Sequence, residues 1–390
     1  MFASSRRQPD FLSQGGTSTR ESSPLQPQEK EVKDVSCLNP NLMYDRGAMY
    51  PPSERYKFLG SLKGYCEKNG RSADALLRSP NYMLIPCKHC LACQRAKAMD
   101  WATRAAQEIL YHPKGTSYFV TLTYDEANLP RWYKDDSEEG GHMERGPGDG
   151  VPCLWHKDIQ DYHKRLRAAQ EYAAKKSGEE PERIRYLQCG EYGTKKGRPH
   201  YHEVISGLIL PDVRFVRAKS STQLLFESEY LAKMWPWGRI EIQDATQEAA
   251  AYVAQYTVKK AYSLEAKREY EEKGIRGPYI CVSRGYGSEW TLDNWDNYVG
   301  RGVKMVVHTA HGYRQAGLTA WAKRKQKEAM TPEEREAMHA RGQLNQQSNC
   351  EKLRRQHPGL GIVEANEQEE KKLWDEVRRR THNLDRKGPE

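Results

Sequence analysis

Hydrophobic positions along this chain switch repeatedly between a helical period and a strand period. Met99, Ala102, Ala106, Leu110 and Tyr111 recur at helical spacing within the run from Arg95 to His112, which predicts an amphipathic helix. Residues 117–124 (SYFVTLTY) alternate β-branched and aromatic side chains between Lys-Gly and Asp-Glu-Ala-Asn, the pattern of a strand. Between His156 and Lys176 a stripe of Ile159, Tyr162, Leu166 and Ala169 predicts a second helix, with Lys164, Arg165 and Arg167 on its basic side. Residues 185–189 and 201–207 read as short strands on either side of the basic, turn-rich stretch 193–199. A further helix is expected over Ala245 to Tyr262, with Asp244 as its N-cap, and a strand over 279–283. From about Thr319 the sequence is charged and helix-favouring and runs into Arg378-Arg-Arg380; no internal repeat is present.

Composition changes this picture in two ways. Hydrophobic residues make up 37% of the 390 when Tyr is counted and Gly is not. Exchanging the 23 Tyr for the 30 Gly gives about 39%, below the ~45–50% of ordinary globular domains, so part of the chain builds no core. Residues 1–34, rich in Ser, Gln, Pro and charge, are expected to be a disordered arm, and the acidic, Gly-rich stretch 133–152 an exposed insertion. The expected organisation is then the arm, a Cys-bearing element with its basic helix over 35–115, a core over 116–290, and a charged, mainly helical extension over 291–390. Lys plus Arg is 62 against 53 Asp plus Glu, a net +9 that favours a polyanionic partner. No window approaches the ~18 consecutive apolar residues of a membrane span, and the N-terminus lacks the apolar run of a signal peptide. The expectation is no membrane partner and a reducing cytoplasm.

Candidate chemistry concentrates at His200-Tyr201-His202. On a strand, alternate side chains share a face, so the two imidazoles point the same way and can share one cation. Nine residues upstream Glu191 ends the preceding strand, where hairpin pairing would bring its carboxylate beside them. Two neutral His and one carboxylate leave positions open for water or a substrate oxygen, as a catalytic metal requires. The donor set does not choose among Mg²⁺, Mn²⁺ and Zn²⁺. Against this stands the plainer reading of two surface histidines and a turn glutamate.

On the helix over 245–262, Tyr252 and Tyr256 lie one turn apart and Lys260 continues the row, with Lys259 adjacent. They could simply be core aromatics. The lysines argue for more: a phenol of pKa near 10 is a poor nucleophile at neutral pH, and a neighbouring ammonium and a divalent ion favour its phenolate. Trp235 and Trp237, ahead of this helix, are candidates for stacking on bases or equally a structural pair. Lys195, Lys196 and Arg198 are candidate DNA contacts, as is Lys260.

These residues carry a resemblance. Phe119-Val-Thr-Leu-Thr-Tyr124, then Gly-Glu-Tyr-Gly followed by Gly-Arg-Pro-His-Tyr-His, then Tyr-Val-Ala-Gln-Tyr-x-x-Lys-Lys resemble in order and wording the three motifs of the HUH endonuclease superfamily. They look most like the rolling-circle replication initiators of the gokushovirus branch of the Microviridae. The resemblance spans about Cys37 to Arg284. It implies an α+β fold with about five antiparallel strands flanked by helices and the His pair on a central strand. It also implies His200 and His202 as metal ligands with Glu191 as a third, Tyr252 and Tyr256 as paired nucleophiles, and Lys259 as their helper. The implied activity is metal-dependent nicking of origin DNA, with Mg²⁺ or Mn²⁺, followed by strand transfer and circle closure. The implied setting is the host bacterial cytoplasm, with single-stranded or supercoiled replicative-form phage DNA as substrate and host DNA polymerase and helicase as partners. A transposase or plasmid initiator of the same superfamily, or a non-catalytic nucleic-acid-binding protein, are the alternative readings.

Two features lie beside the motifs. Ser283-Arg284 is followed by Gly-Tyr-Gly where the family usually has a Pro-Gly type turn, which leaves the role of this loop open. Cys87-Lys-His-Cys90-Leu-Ala-Cys93 places three thiols within seven residues, and Cys37 or His89 would complete a tetrahedral site. Structural Zn²⁺, an iron–sulfur cluster and unmetallated thiols all remain open for it, whereas Cys66, Cys153, Cys189, Cys281 and Cys350 show no ligand spacing.

Overall fold

The computed structural model describes residues 37–51, 53–135, 140–193, 196–220, 223–247, 249–250, 253–254, 264–309 and 312–386. The arm over 1–34 lies outside the described residues, as do Lys195, Tyr252, Tyr256, Lys259 and Lys260.

Strands β1 (Asn41–Asp45), β2 (Tyr56–Ser61) and β3 (Tyr82–Ile85) form a small antiparallel sheet with β1 in the middle, backed by helices α1 (Leu62–Asn69) and α2 (Ala73–Leu76). Helix α3 (Leu91–Tyr111) then leads into β4 (Ser117–Thr123). The buried stripe of α3 is Ala98, Ala102, Ala105 and Ala106, small residues that let the helix lie close to the sheet. Leu110 and Tyr111, expected on that stripe, are exposed in the last turn of the helix.

The stretch expected as an exposed loop is instead folded. Strands β5 (Pro130–Lys134), β6 (Gly141–Arg145) and β7 (Val151–Pro152) make a second small sheet. Arg145 ties it to the core through Asp158, 2.5 Å away, at the start of helix α4 (His156–Ser177). Its acidic, Gly-rich composition hid two strands that pair on either side of β5, which itself begins before the stretch.

The central sheet has seven antiparallel strands rather than about five. In spatial order they are β10 (Arg214–Ser220), β11 (Gln223–Glu227), β12 (Ile240–Asp244), β4, β9 (Pro199–Ser206), β8 (Arg185–Tyr192) and β13 (Tyr279–Val282). The extra pair is the β10–β11 hairpin, whose outer strand carries exposed Phe215 and Val216 among arginines and so lacks a strand-like alternation. One face of the sheet packs on α4 and on short helix α5 (Glu229–Met234) through Tyr162, Leu166, Tyr201, Ile205 and Trp235. Each such fully buried side chain contributes about 1.5–3 kcal/mol of apolar burial. The other face packs Phe119, Leu187, Cys189 and Val204 against Ala105, Ala250, Val253 and Tyr286. The helical N-cap ahead of Ala249 is Thr246, whose Oγ1 accepts the Ala249 N–H at 3.1 Å; Asp244 instead ends β12, opposite Tyr118.

The chain then adds α6 (Leu264–Glu272), α7 (Ser288–Asp293), the β14 (Met305–Thr309) and β15 (Gly312–Ala316) hairpin, and helices α8 (Ala320–Ala329), α9 (Pro332–Gln356) and α10 (Ile362–Arg386). A capping box at Thr331 and Glu334 starts α9. The last two helices are not a free tail: Cys350 and Ile362 join Leu42, Leu62 and Leu76 in one apolar cluster. Gln346 exchanges hydrogen bonds with the backbone of β3, and Arg354 pairs with Asp74 at 2.7 Å. No described helix is long and apolar enough to cross a membrane.

Candidate metal centre

Register places the three candidate ligands. In the β8–β9 pairing Glu191 faces His200 and Cys189 faces His202; in the β4–β9 pairing Thr121 faces His202 and Thr123 faces His200. Glu191, His200 and His202 therefore share the sheet face that also carries Leu187, Cys189 and Val204. Glu191 Oε1 lies 2.7 Å from His200 Nε2 and 3.1 Å from His202 Nε2, and the rings meet edge to face with centroids 4.9 Å apart. The three residues form one of two described groups able to hold a metal ion.

The far side of each imidazole is also committed. His200 Nδ1 lies 3.2 Å from the Arg198 carbonyl oxygen, which accepts from Nδ1–H in the tautomer that frees Nε2 for an ion. His202 Nδ1 lies 3.0 Å from Thr121 Oγ1, which accepts from Nδ1–H in the tautomer that frees Nε2. Phe119 stacks on the His202 ring at 5.7 Å. Second partners of this kind fix ring orientation and tautomer around a bound ion. Burial lowers the pKa of His202; burial would raise that of Glu191, but hydrogen bonds from the two imidazoles more than offset this and leave it lowered.

This donor set fits a small divalent ion. Adjacent ligands of an octahedral ion bound at ~2.1 Å are about 3 Å apart, the spacing seen between Glu191 and the two rings. Two neutral nitrogens and one carboxylate leave the remaining coordination positions open.

The other group is Cys37, Cys87, Cys90 and Cys93. Of the two candidates for its fourth member, Cys37 is the one brought in. Sulfurs 37 and 90 are 3.8 Å apart and sulfurs 87 and 93 are 4.0 Å apart. Four thiolates around Zn²⁺ at ~2.3 Å would be about 3.8 Å apart. The backbone N–H groups of His89 and Cys90 donate to Cys87 Sγ, and that of Cys87 to Cys37 Sγ, with Lys88 in the left-handed region at φ 68° to turn the chain back. Hydrogen bonds from Cys37 and Cys93 push the Cys90 thiol far down, favouring a thiolate at the start of α3.

The remaining candidates fall elsewhere. Trp235 is 1% exposed, packed against Tyr124, Tyr162 and Tyr201, with its Nε1–H donating to the Thr123 carbonyl, so it is core and has no face for a base. Trp237 is half-buried with Arg145 and Arg165 over its ring. Arg198 pairs with Glu126 at 2.5 Å and donates to the Tyr124 carbonyl, which fixes the turn ahead of β9, while Lys196 is exposed on that turn. The Gly-Tyr-Gly loop anchors α3: Tyr286 is fully buried, its carbonyl accepts from Arg104, and Gly287 N–H donates to Glu108. Thr121 is the site residue that motif and spacing did not single out. It lay inside the first motif, but only cross-strand register reveals its contact.

Comparison with known proteins gives the following likenesses. Residues 117–261 match a family model described as a replication-associated protein of the ORF2 type, a span that holds the sheet centre, all three candidate ligands and the paired tyrosines. The chain resembles phage replication-associated proteins. It is 28% identical over 217 residues to replication-associated protein ORF2 of Spiroplasma virus 4, covering 55% of this chain and 60% of that protein. It is 28% identical over 234 residues to replication-associated protein ORF4 of Chlamydia phage 1, covering 59% and 50%, and 26% identical to replication-associated protein VP4 of Bdellovibrio phage phiMH2K, covering 58% and 64%. The chain thus spans between half and two thirds of the length of these relatives. No solved structure matches.

Proposed function

We propose that this chain initiates rolling-circle replication of a phage genome by nicking one DNA strand at an origin and later rejoining it. The observation that carries the reading is the convergence of Glu191 Oε1, His200 Nε2 and His202 Nε2 with both Nδ1 atoms already engaged. Ala250 and Val253, which bracket Tyr252 in sequence, pack on the same sheet face as those ligands.

In this reading the hydroxyl oxygen of Tyr252 or Tyr256 attacks phosphorus. The phosphorus–O3′ bond breaks, the phenol proton ends on the departing 3′ oxygen, and the 5′ phosphate stays as a tyrosine ester. The second tyrosine cuts the regenerated origin, and reversal of the ester reseals the circle. A divalent ion, Mg²⁺ or Mn²⁺, held by Glu191, His200 and His202 supplies positive charge to the scissile phosphate. Thr121 and the Arg198 carbonyl hold the imidazoles in their ligand tautomer. The Lys259 ammonium lowers the phenol pKa and offsets charge that develops on phosphate. The substrate would be phage DNA in the host cytoplasm, with the released 3′ hydroxyl passed to host polymerase and helicase. Zinc is the ion that suits the closed cysteine group, where it would be structural.

The test is covalent capture. With Mn²⁺ and single-stranded fragments tiled across the source genome, one fragment should give a protein–DNA adduct on a denaturing gel, and Tyr252→Phe with Tyr256→Phe should abolish it. No adduct with any fragment, or an adduct that survives both substitutions, would overturn the reading.

A further inference from the structure

About 20 Å from the metal centre, at the opposite end of β8, a cavity of about 510 Å³ opens between α4, the 181–184 segment and the end of β13. Arg167, Arg183, Arg185 and Arg284 line it against two carboxylates, Glu171 and Glu182. The charges are not equally available. Glu182 Oε1 is held by His112 Nδ1 at 3.0 Å, and Arg185 is buried and paired with Glu289 at 2.8 Å, so these two form fixed wall. Arg183 and Arg284 are exposed, and Arg183 has only a long 3.5 Å contact with Glu289. Among the described residues no carboxylate is paired with Arg167 or Arg284. Arg167 lies over the ring of Tyr186, whose other neighbour is His163, stacked at 3.7 Å. That arrangement holds the guanidinium in the cavity wall without neutralising it. Ser283 Oγ accepts the Tyr186 N–H at 2.9 Å, which leaves its own O–H to donate.

We propose that this cavity is a phosphate-recognition subsite that takes one nucleotide-sized phosphoryl unit, with Arg167, Arg183 and Arg284 as charge partners and Ser283 as a neutral donor. Guanidinium groups suit this role because their planar donor fork matches phosphate oxygens in pairs. The volume lies within the range of small-ligand sites, near its lower part, and suits one nucleotide rather than a folded partner. The same chemistry has two sources: a phosphodiester in a DNA strand or a free nucleotide. The strand source rests on the DNA reading above. In that case the site lies about six nucleotides along the strand from the metal centre at a stacked spacing of ~3.4 Å, fewer if the strand is extended, and would hold the strand away from the cut. The Ser283-Arg284 pair then has a role that the Gly-Tyr-Gly anchor behind it keeps in place.

The experiment measures binding without cleavage. With no Mg²⁺ or Mn²⁺ added, wild-type protein and the variants Arg284→Ser, Arg167→Ser and the double variant are titrated with a fluorescein-labelled 20-mer single strand across a salt series, and separately with dAMP by calorimetry. Arg284→Ser alters an exposed side chain, and melting curves check that each variant folds. The expected result for a strand is at least tenfold weaker oligonucleotide binding by the double variant at low salt. Its log K against log salt slope should fall by about 1.4, the share of two single-strand phosphates at ~0.7 each. Loss of dAMP binding with unchanged oligonucleotide binding would assign the same subsite to a free nucleotide. Unchanged binding of both ligands in folded variants overturns the proposal. Because no arm requires an adduct, the site can stand even if nicking fails, and nicking can stand if the site fails.

Discussion

Among the described residues, the two groups of side chains that converge tightly enough to hold a cation are built in opposite ways. The cysteine group gathers four sulfurs from two segments fifty residues apart, and backbone N–H groups and an apolar surround close it off. The Glu191, His200 and His202 group draws three atoms from two adjacent strands and supplies three ligands rather than four. Leu373 of α10 packs on the cysteine cluster, and Arg95 approaches Glu376 at 3.7 Å, so the closed group also joins the two ends of the described chain. In the proposed reading, one group holds the fold and the other takes the catalytic ion.

Breaking the closed group should have the larger structural effect. Cys90→Ser is expected to release bound zinc, read by elemental analysis, and to lower Tm on the order of 10 °C, since a lost metal ligand costs about 3–5 kcal/mol and large domains shift ~2–4 °C per kcal/mol. An unchanged Tm and metal content would remove the contrast. His202→Ala should do the reverse: adduct formation falls more than about 100-fold while zinc content and Tm hold. Thr121→Val sharpens the comparison further. It leaves all three ligands in place and should weaken Mn²⁺ binding about 10–100-fold by electron paramagnetic resonance, whereas equal affinity would deny Thr121 its positioning role.

The smallest expected effect lies away from both groups, at His112. Burial alone would lower its pKa, but hydrogen bonds to Glu108 and Glu182 leave it raised above 6.5. A raised folded pKa means the stabilisation is full below 6.5 and is lost as pH rises through the folded value. The Tm gap between wild type and His112→Gln should therefore be widest near pH ~6 and close on the alkaline side; a gap that widens with pH would reverse the assignment.

Much of this was legible from residue order because strands and helices announce themselves by period. The helix expected from His156 to Lys176 and the strands expected at 117–124, 185–189 and 201–207 from alternation and spacing are found within a few residues, at His156–Ser177, Ser117–Thr123, Arg185–Tyr192 and Pro199–Ser206. The ligand trio was legible because His-x-His fixes two side chains on one face and a hairpin supplies the third. What stayed hidden depends on contacts between distant segments. Cys37 over His89 is decided by the path of β1, Thr121 by cross-strand register, and the burial of Trp235 by α4 closing over it. The packing of α9 and α10 on the first sheet was equally invisible, because their sparse apolar positions look like a solvated tail until Leu42 and Leu62 are placed against them.

The most direct test of the central claim is the mass of the nucleotide-bearing peptide. After reaction with a cleavable origin strand and nuclease trimming, tryptic digestion should yield the peptide containing Tyr252 and Tyr256 with one tyrosine carrying a 5′-linked nucleotide, and Glu191→Gln should remove that species. A nucleotide attached to any other residue, or none in a sample that has cut the strand, would contradict the account.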